Sequence, residues 1–165
     1  MSWFKKIFGK DTEQEKKAVV QKANIAYAQF NYPHKIILAW IKALEGNQDL
    51  AMFLLNNGYE EIYHTTQAIF LKQEARNWLM NNGYPHLMAF VNASEGNESA
   101  AHWLEVHGFE VLFHMSQAIE GEMKSFAWLK GQTNFLLFEL AKQIKTIKDN
   151  IEFNHNDMYS FGKDA

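Results

Sequence analysis

The feature that most constrains this chain is a sequence repeat of 25 residues. The stretch "EGNESAAHWLEVHGF" at 95–109 resembles "EGNQDLAMFLLNNGY" at 45–59, and a shift of 25 also aligns the intervening segments without gaps. The four repeated units span 35–59, 60–84, 85–109 and 110–134. Repeats of this length are typical of solenoids, in which each unit buries its apolar face against its neighbours.

The repeated positions indicate helices. Apolar residues recur at spacings of three and four, without the alternation of a strand. Three apolar positions recur in every unit: the alanines Ala43, Ala68, Ala93 and Ala118, the aromatic residues Phe53, Trp78, Trp103 and Trp128, and the leucines Leu54, Leu79, Leu104 and Leu129. We interpret all three as core positions. The sequence therefore predicts an all-α fold, a short α-solenoid of stacked antiparallel helix pairs.

Glycines mark the predicted ends of the helices. Gly46, Gly96 and Gly121 would end first helices, and Asn47 and Asn97 would cap the second helices that follow. Second helices would end at Gly58, Gly83 and Gly108, with an aromatic residue next that folds back on the leucine of the unit. Unit two has "FLKQ" at 70–73 instead of the first glycine, which predicts a less regular turn there.

The flanking segments complete a single predicted domain, 1–165. Residues 1–10 form an amphipathic N-terminal segment, 11–32 an N-terminal capping helix that Pro33 ends, and 135–151 a longer C-terminal capping helix. Residues 152–165 show no helical period and are predicted to be a loose tail.

The segment at 95–109 resembles the second half of an ankyrin repeat. Its small pair Ala100 and Ala101, its apolar pair Trp103 and Leu104, and the interval of twelve between its glycines are similar to that family. The "TPLH" element is absent, and the 25-residue period leaves no room for the projecting hairpin of a 33-residue repeat. The chain is therefore similar to an ankyrin-like short helical repeat, and the resemblance implies a binding surface.

Charge and cysteine content restrict the partners. The net charge is −3, and residues 23–134 hold six basic against eleven acidic side chains. That acidic surface would repel a phosphate backbone, so we expect no nucleic-acid binding, and a basic protein partner would suit it. The chain has no cysteine and no run of about 20 apolar residues, which favours the cytoplasm, and we interpret the chain as bacterial.

A row of polar residues is the candidate partner-binding site. His64 and His114 share one position of the repeat, Gln67 and Gln117 share another, and Asn92 takes the latter position in the unit between. A spacing of three places each histidine and glutamine on one helix face. We predict that these five side chains line the exposed side of the first helices. The alternative is that they satisfy neighbouring carbonyls or face water.

Metal binding and catalysis find no support in the sequence. His64 and His114 lie two units apart, which predicts about 20 Å between them at ordinary helix spacing, too far to share an ion. The sequence has no catalytic triad, no "HExxH" and no glycine-rich phosphate loop. We therefore expect no metal, no cofactor and no enzymatic activity.

The N-terminal segment "SWFKKIF" is a second candidate site. Its apolar side chains Trp3, Phe4, Ile7 and Phe8 would share one helical face, opposite Lys5 and Lys6. Such a face suits docking to a partner or to an anionic membrane, while covering of the open first unit is the alternative.

These patterns favour a non-catalytic protein-protein interaction module, an adaptor or an immunity-type inhibitor that binds its partner on the first helices. The alternative is a small-molecule or lipid-binding helical module that uses its many Phe and Met residues as a pliable lining. The sequence leaves the oligomeric state open.

Overall fold

The computed structural model describes residues 32–160, with side chains as far as residue 156. The predictions for residues 1–31, including the docking segment at 1–10, lie outside the described residues. The described part is all helical, with no strand. Its helices are α1 His34–Leu44, α2 Gln48–Asn56, α3 Glu60–Ile69, α4 Gln73–Asn81, α5 Pro85–Ser94, α6 Glu98–Val106, α7 Glu110–Ile119, α8 Met123–Lys130 and α9 Leu136–Ser160.

Each 25-residue unit is one pair of helices. The pairs are α1 with α2, α3 with α4, α5 with α6, and α7 with α8, and each first helix also packs against the first helix of the next unit. The predicted all-α fold and its short solenoid of stacked antiparallel pairs are confirmed. A continuous core runs through the array because every unit shares its apolar face with a neighbour.

The repeated apolar positions differ in their burial. The four leucines at the shared position of the second helices are all fully buried: Leu54, Leu79, Leu104 and Leu129. The aromatic position one residue earlier is not uniform, because Trp103 is buried, Trp78 and Trp128 are half-buried, and Phe53 is exposed. The interpretation of this aromatic position as core in every unit was therefore wrong for Phe53. The three tryptophans each stack on a histidine ring.

The second helices end as the glycine spacing predicts. At Gly108 the backbone takes a φ of 76°, and the amide of Phe109 donates to the carbonyl of Leu104 at 2.9 Å. Gly58 and Gly83 take the same conformation, with equivalent hydrogen bonds. Glycine adopts positive φ without a Cβ clash, so the stop is fixed by sequence.

The turn of unit two differs from the prediction. Leu71 stands where the other units have glycine and takes the same left-handed conformation, with a φ of 66°. Its amide donates to Ala68 at 3.0 Å, and the next amide donates to Gln67 at 3.0 Å, as in the glycine turns. The expected irregular turn was wrong, because the leucine keeps the hydrogen bonds of the glycine turns in a conformation that costs about 1–2 kcal/mol for a residue with a Cβ.

Replacing Leu71 by glycine should therefore raise the free energy of unfolding by about 1 kcal/mol, since it removes the Cβ strain. The measurement is urea denaturation followed by circular dichroism. Leu38→Gly is the matched control, because Leu38 is exposed within α1 and glycine should lower stability there by about 1 kcal/mol. A loss of stability in Leu71→Gly would show that the leucine side chain contributes more by packing than its backbone strain costs.

The closing helix is longer than predicted. α9 continues nine residues past the predicted end at 151, to Ser160, so a loose tail is wrong for 152–160. The segment holds neither proline nor glycine before Gly162, and Lys148 pairs with Glu152 one turn along. These local features sustain the helix although residues 152–156 are exposed.

α9 also does more than cover the last unit. It packs against α7 and against α1, so it returns along the array to the first unit. One position of the first helices on this side is buried in all four units, at Leu44, Ile69, Ser94 and Ile119. From α9, Leu140 and Ile144 are buried, and Lys148 forms an ion pair with Glu120 beside α7. One face of the first helices is thus covered by the chain itself.

Candidate binding surface

The histidines of the predicted polar row contact tryptophans. The rings of His64 and Trp78 stack with centroids 4.0 Å apart, and His114 and Trp128 stack at 4.1 Å. His114 Nδ1 also lies 3.0 Å from Ser125 Oγ. Both histidines are half-buried, so the expectation that they lie on an exposed face is corrected: each faces the second helix of its own unit.

The two contacts lie at equivalent positions, 50 residues apart. Units two and four hold a histidine and a tryptophan at these positions, whereas unit three has Ala89 with Trp103. There the tryptophan ring instead stacks on His107, with centroids 4.3 Å apart. The tryptophan thus has a histidine ring as its partner in units two, three and four, and in unit three that histidine comes from another position.

Burial changes the acid–base properties of the stacked histidines. It lowers the pKa of His64 and His114, because desolvation disfavours the charged imidazolium. Nearby glutamates, Glu60 and Glu110, oppose this effect. Both rings are thus kept neutral for flat stacking near pH 7.

Between residues 73 and 142 of the described part, three grooves recur at equivalent positions, each between the second helix of one unit and the helix that follows it. Groove 1, between α4 and α5, is lined by Gln73, Arg76, Asn77, Met88 and Asn92. Groove 2, between α6 and α7, includes Glu98, Ala101, His102, Phe113 and Gln117. Groove 3, between α8 and α9, includes Met123, Phe126, Ala127, Phe138 and Lys142. Each set follows the previous one by 25 residues.

The predicted row is therefore divided among several grooves. Asn92 lines groove 1 and Gln117 lines groove 2 at the same position. Gln67 is half-buried at that position of unit two. The amide side chains of Asn92 and Gln117 thus lie in separate grooves and do not form one shared site. The two histidines pack against tryptophans of the second helices.

The grooves differ in charge. In groove 1, Arg76 forms an ion pair with Glu95 of the next unit and donates to the carbonyl of Ala68 at 3.1 Å. Groove 2 is acidic, since three glutamates line it, Glu98, Glu105 and Glu120. Groove 3 is apolar and carries Lys130 and Lys142. The polar-row prediction missed groove 3. The sequence signal for this groove is a lysine four residues after a phenylalanine, in "SFAWLK" and in "FLLFELAK".

A further cavity lies beneath α9. Ile69, Leu71 and Val91 of the array face Ile144 and Ile151 of α9 across a volume of about 120 Å³. Lys148 and Glu152 stand at its rim. This space is apolar, and it bears on the small-molecule alternative.

His86 is a buried titratable group that the sequence analysis passed over. It is 4% exposed, its ring stacks on Phe109 with centroids 5.2 Å apart, and Nδ1 has no hydrogen-bond partner among the described residues. Burial lowers its pKa to about 4. His86 lies in the core between units. The sequence signal for its burial is its position in the repeat, which α1 fills with Ile36 and α7 with Val111.

Among residues 32–160 the structure shows no group of three or more His, Asp or Glu side chains arranged to hold a metal ion. The same part of the chain has no helix with the length and hydropathy needed to cross a bilayer. Comparison with known proteins gave no match: no family model matches the sequence, no curated protein is significantly similar to it, and no solved structure matches it.

Proposed function

We propose that this chain is a non-catalytic protein-binding module that holds its partner on the side of the three grooves. The observation that supports this is the recurrence of the same groove at steps of 25 residues. A row of equivalent grooves on a rigid helical array suits an extended partner surface, which is how helical-repeat proteins generally bind. In this respect the module is ankyrin-like.

The other face of the first helices is occupied, which limits where a partner binds. Since α9 covers the side that includes Ile69 and Ser94, the available part of the first helices is the side that contributes Asn92 and Gln117 to the grooves. His64 and His114 act through the tryptophans that they support. The partner would therefore contact first and second helices together.

The acidic groove 2 favours a partner with a basic segment. Glu98 and Glu105 lie on its α6 wall, and among the described residues Glu105 has only His102, at 3.7 Å, within ion-pair distance. Complementary charge at a rim increases association rate and specificity. An adaptor or an immunity-type inhibitor of a basic effector fits this surface. The proposed setting is the bacterial cytoplasm, for which the lack of cysteine is the argument.

The test is an affinity purification with quantitative mass spectrometry, using Asn77→Arg/His102→Arg. These exposed residues occupy equivalent positions in grooves 1 and 2, so two arginines should obstruct both and reduce recovery of a specific partner about tenfold, which corresponds to about 1.4 kcal/mol. Thr146→Arg/Asn150→Arg, on the exposed side of α9, is the matched control and should leave recovery unchanged. Equal recovery with both variants would contradict a groove-side interface.

The cavity under α9 supports the second candidate function, a small apolar ligand held between α9 and the array. Ligand pockets commonly measure about 300–1,000 Å³, so a cavity of about 120 Å³ admits only a small fragment unless α9 moves. Native mass spectrometry of the purified protein distinguishes the two functions, because a retained small molecule would favour this one.

A further inference from the structure

Groove 3 exposes more apolar surface than a solvated helix end requires. Met123 is 72% exposed on one wall, and Phe135, just before α9, is 59% exposed. Within the groove the rings of Phe126 and Phe138 meet edge to face, with centroids 5.7 Å apart. The groove is an open concavity of about 340 Å³ floored by aromatic rings.

Two lysines stand over this floor from opposite walls. Lys130 Nζ lies 5.0 Å from the centroid of the Phe138 ring, and Lys142 Nζ lies 5.3 Å from the same centroid. Lys142 has Glu139 at 3.4 Å. Among the described residues no carboxylate lies within 4.0 Å of Lys130 Nζ. Groove 3 therefore holds a positive charge that the ring only partly compensates.

The repeat supplies an internal comparison for this charge. Where groove 3 has Lys130, groove 2 has Glu105, and where groove 3 has Lys142, groove 2 has Gln117. The backbone positions are equivalent, so the change from acidic to basic comes from side-chain choice alone. Two grooves at equivalent positions of the repeat thus carry side chains of opposite charge.

We propose that groove 3 binds an acidic amphipathic segment of a protein partner. Apolar side chains of that segment would pack on Phe126 and Met123, and carboxylates on its rim would pair with Lys130 and Lys142. This inference rests on the proposed function and names the chemistry of one part of the interface. Shape favours a protein segment over a membrane, because the aromatic floor lies between two helices instead of projecting from them.

The experiment uses the intact protein and two synthetic helical peptides with the same leucine anchors at i, i+3, i+4 and i+7. One peptide carries glutamates at the remaining positions and the other carries lysines. Titration calorimetry should detect binding of the acidic peptide only. Lys130→Glu/Lys142→Glu should weaken that binding at least about tenfold, and Met123→Asp should weaken it several-fold, because both the charges and the apolar wall contribute.

Lys35→Glu/Lys72→Glu is the matched control. It makes the same change in net charge at exposed positions outside groove 3, and it should leave the affinity within about twofold. Circular dichroism and amide NMR spectra check that each variant keeps the fold. Unchanged affinity in Lys130→Glu/Lys142→Glu, or equal binding of the basic peptide, would overturn the inference.

Flotation with vesicles of phosphatidylcholine and phosphatidylserine tests whether groove 3 binds a membrane instead of an acidic protein segment. Flotation that depends on Lys130 and Lys142, without binding of the acidic peptide, would assign the groove to a lipid surface and overturn the proposal. Failure here is distinguishable from failure of the proposed function. A partner lost with Asn77→Arg/His102→Arg but retained with Lys130→Glu/Lys142→Glu would uphold the module as a protein binder and reject groove 3.

Discussion

Replacing Ile144 by aspartate should release α9 from the array and lower the free energy of unfolding by about 4 kcal/mol. Ile144 is 1% exposed, so the change both removes a buried apolar side chain and places a carboxylate where it has no water. Urea denaturation measures the loss. Hydrogen exchange should also show faster exchange in α1, because α9 covers that distant helix.

Thr146→Asp is the control, since it adds the same charge two residues away on the exposed side of α9. It should change stability by no more than about 0.5 kcal/mol. If Ile144→Asp left exchange in α1 unchanged, the contact between α9 and the first unit would be refuted even if overall stability fell.

Lowering the pH from neutrality should destabilise the fold through His86. Its pKa falls from the ordinary 6.5 to about 4 on folding, so the unfolded chain binds the proton more readily than the folded one. Stability is therefore complete above pH 6.5 and is lost as the pH falls towards 4, by about 3 kcal/mol. The lowered pKa values of His64 and His114 act in the same direction.

The measurement is the free energy of unfolding at a series of pH values in the wild type and in His86→Phe. The phenyl ring keeps an aromatic partner for Phe109 but cannot take a proton, so the slope between pH 6.5 and pH 4 should become shallower. His102→Phe is the control, because it makes the same substitution at an exposed position. Identical slopes in wild type and His86→Phe would disprove the assignment.

The helix pairs and their stops could be predicted because their causes are local. Gly108 with Leu104 four residues earlier specifies a helix end within one unit, and the fully buried leucines follow from spacing alone. Asn97 caps α6 through its side chain at 2.9 Å from the amide of Ala100, also within a few residues. A repeat makes such signals visible four times.

The remaining features depend on contacts between distant parts of the chain. α9 packs against α1, whose residues lie about 100 positions earlier in the chain. The apolar periodicity of α9 does not predict which helix it packs against. The conformation of Leu71 opposes the backbone preference of leucine, so the residue type alone does not predict it. The spacing of three in the polar row defines one side of a helix, but it does not show what packs against that side. For His64 and His114 the structure places Trp78 and Trp128 there.

The return of α9 to the first unit has a consequence for how the molecule unfolds. In an open array of repeats each module contacts only its neighbours, so terminal modules can melt alone and partially folded species accumulate. A helix that touches both the first and the last unit removes this freedom, because neither end can separate without losing the same contacts. The described array should therefore melt in one cooperative transition, and it should form more slowly than an open array, since closing it requires pairing across a long stretch of sequence.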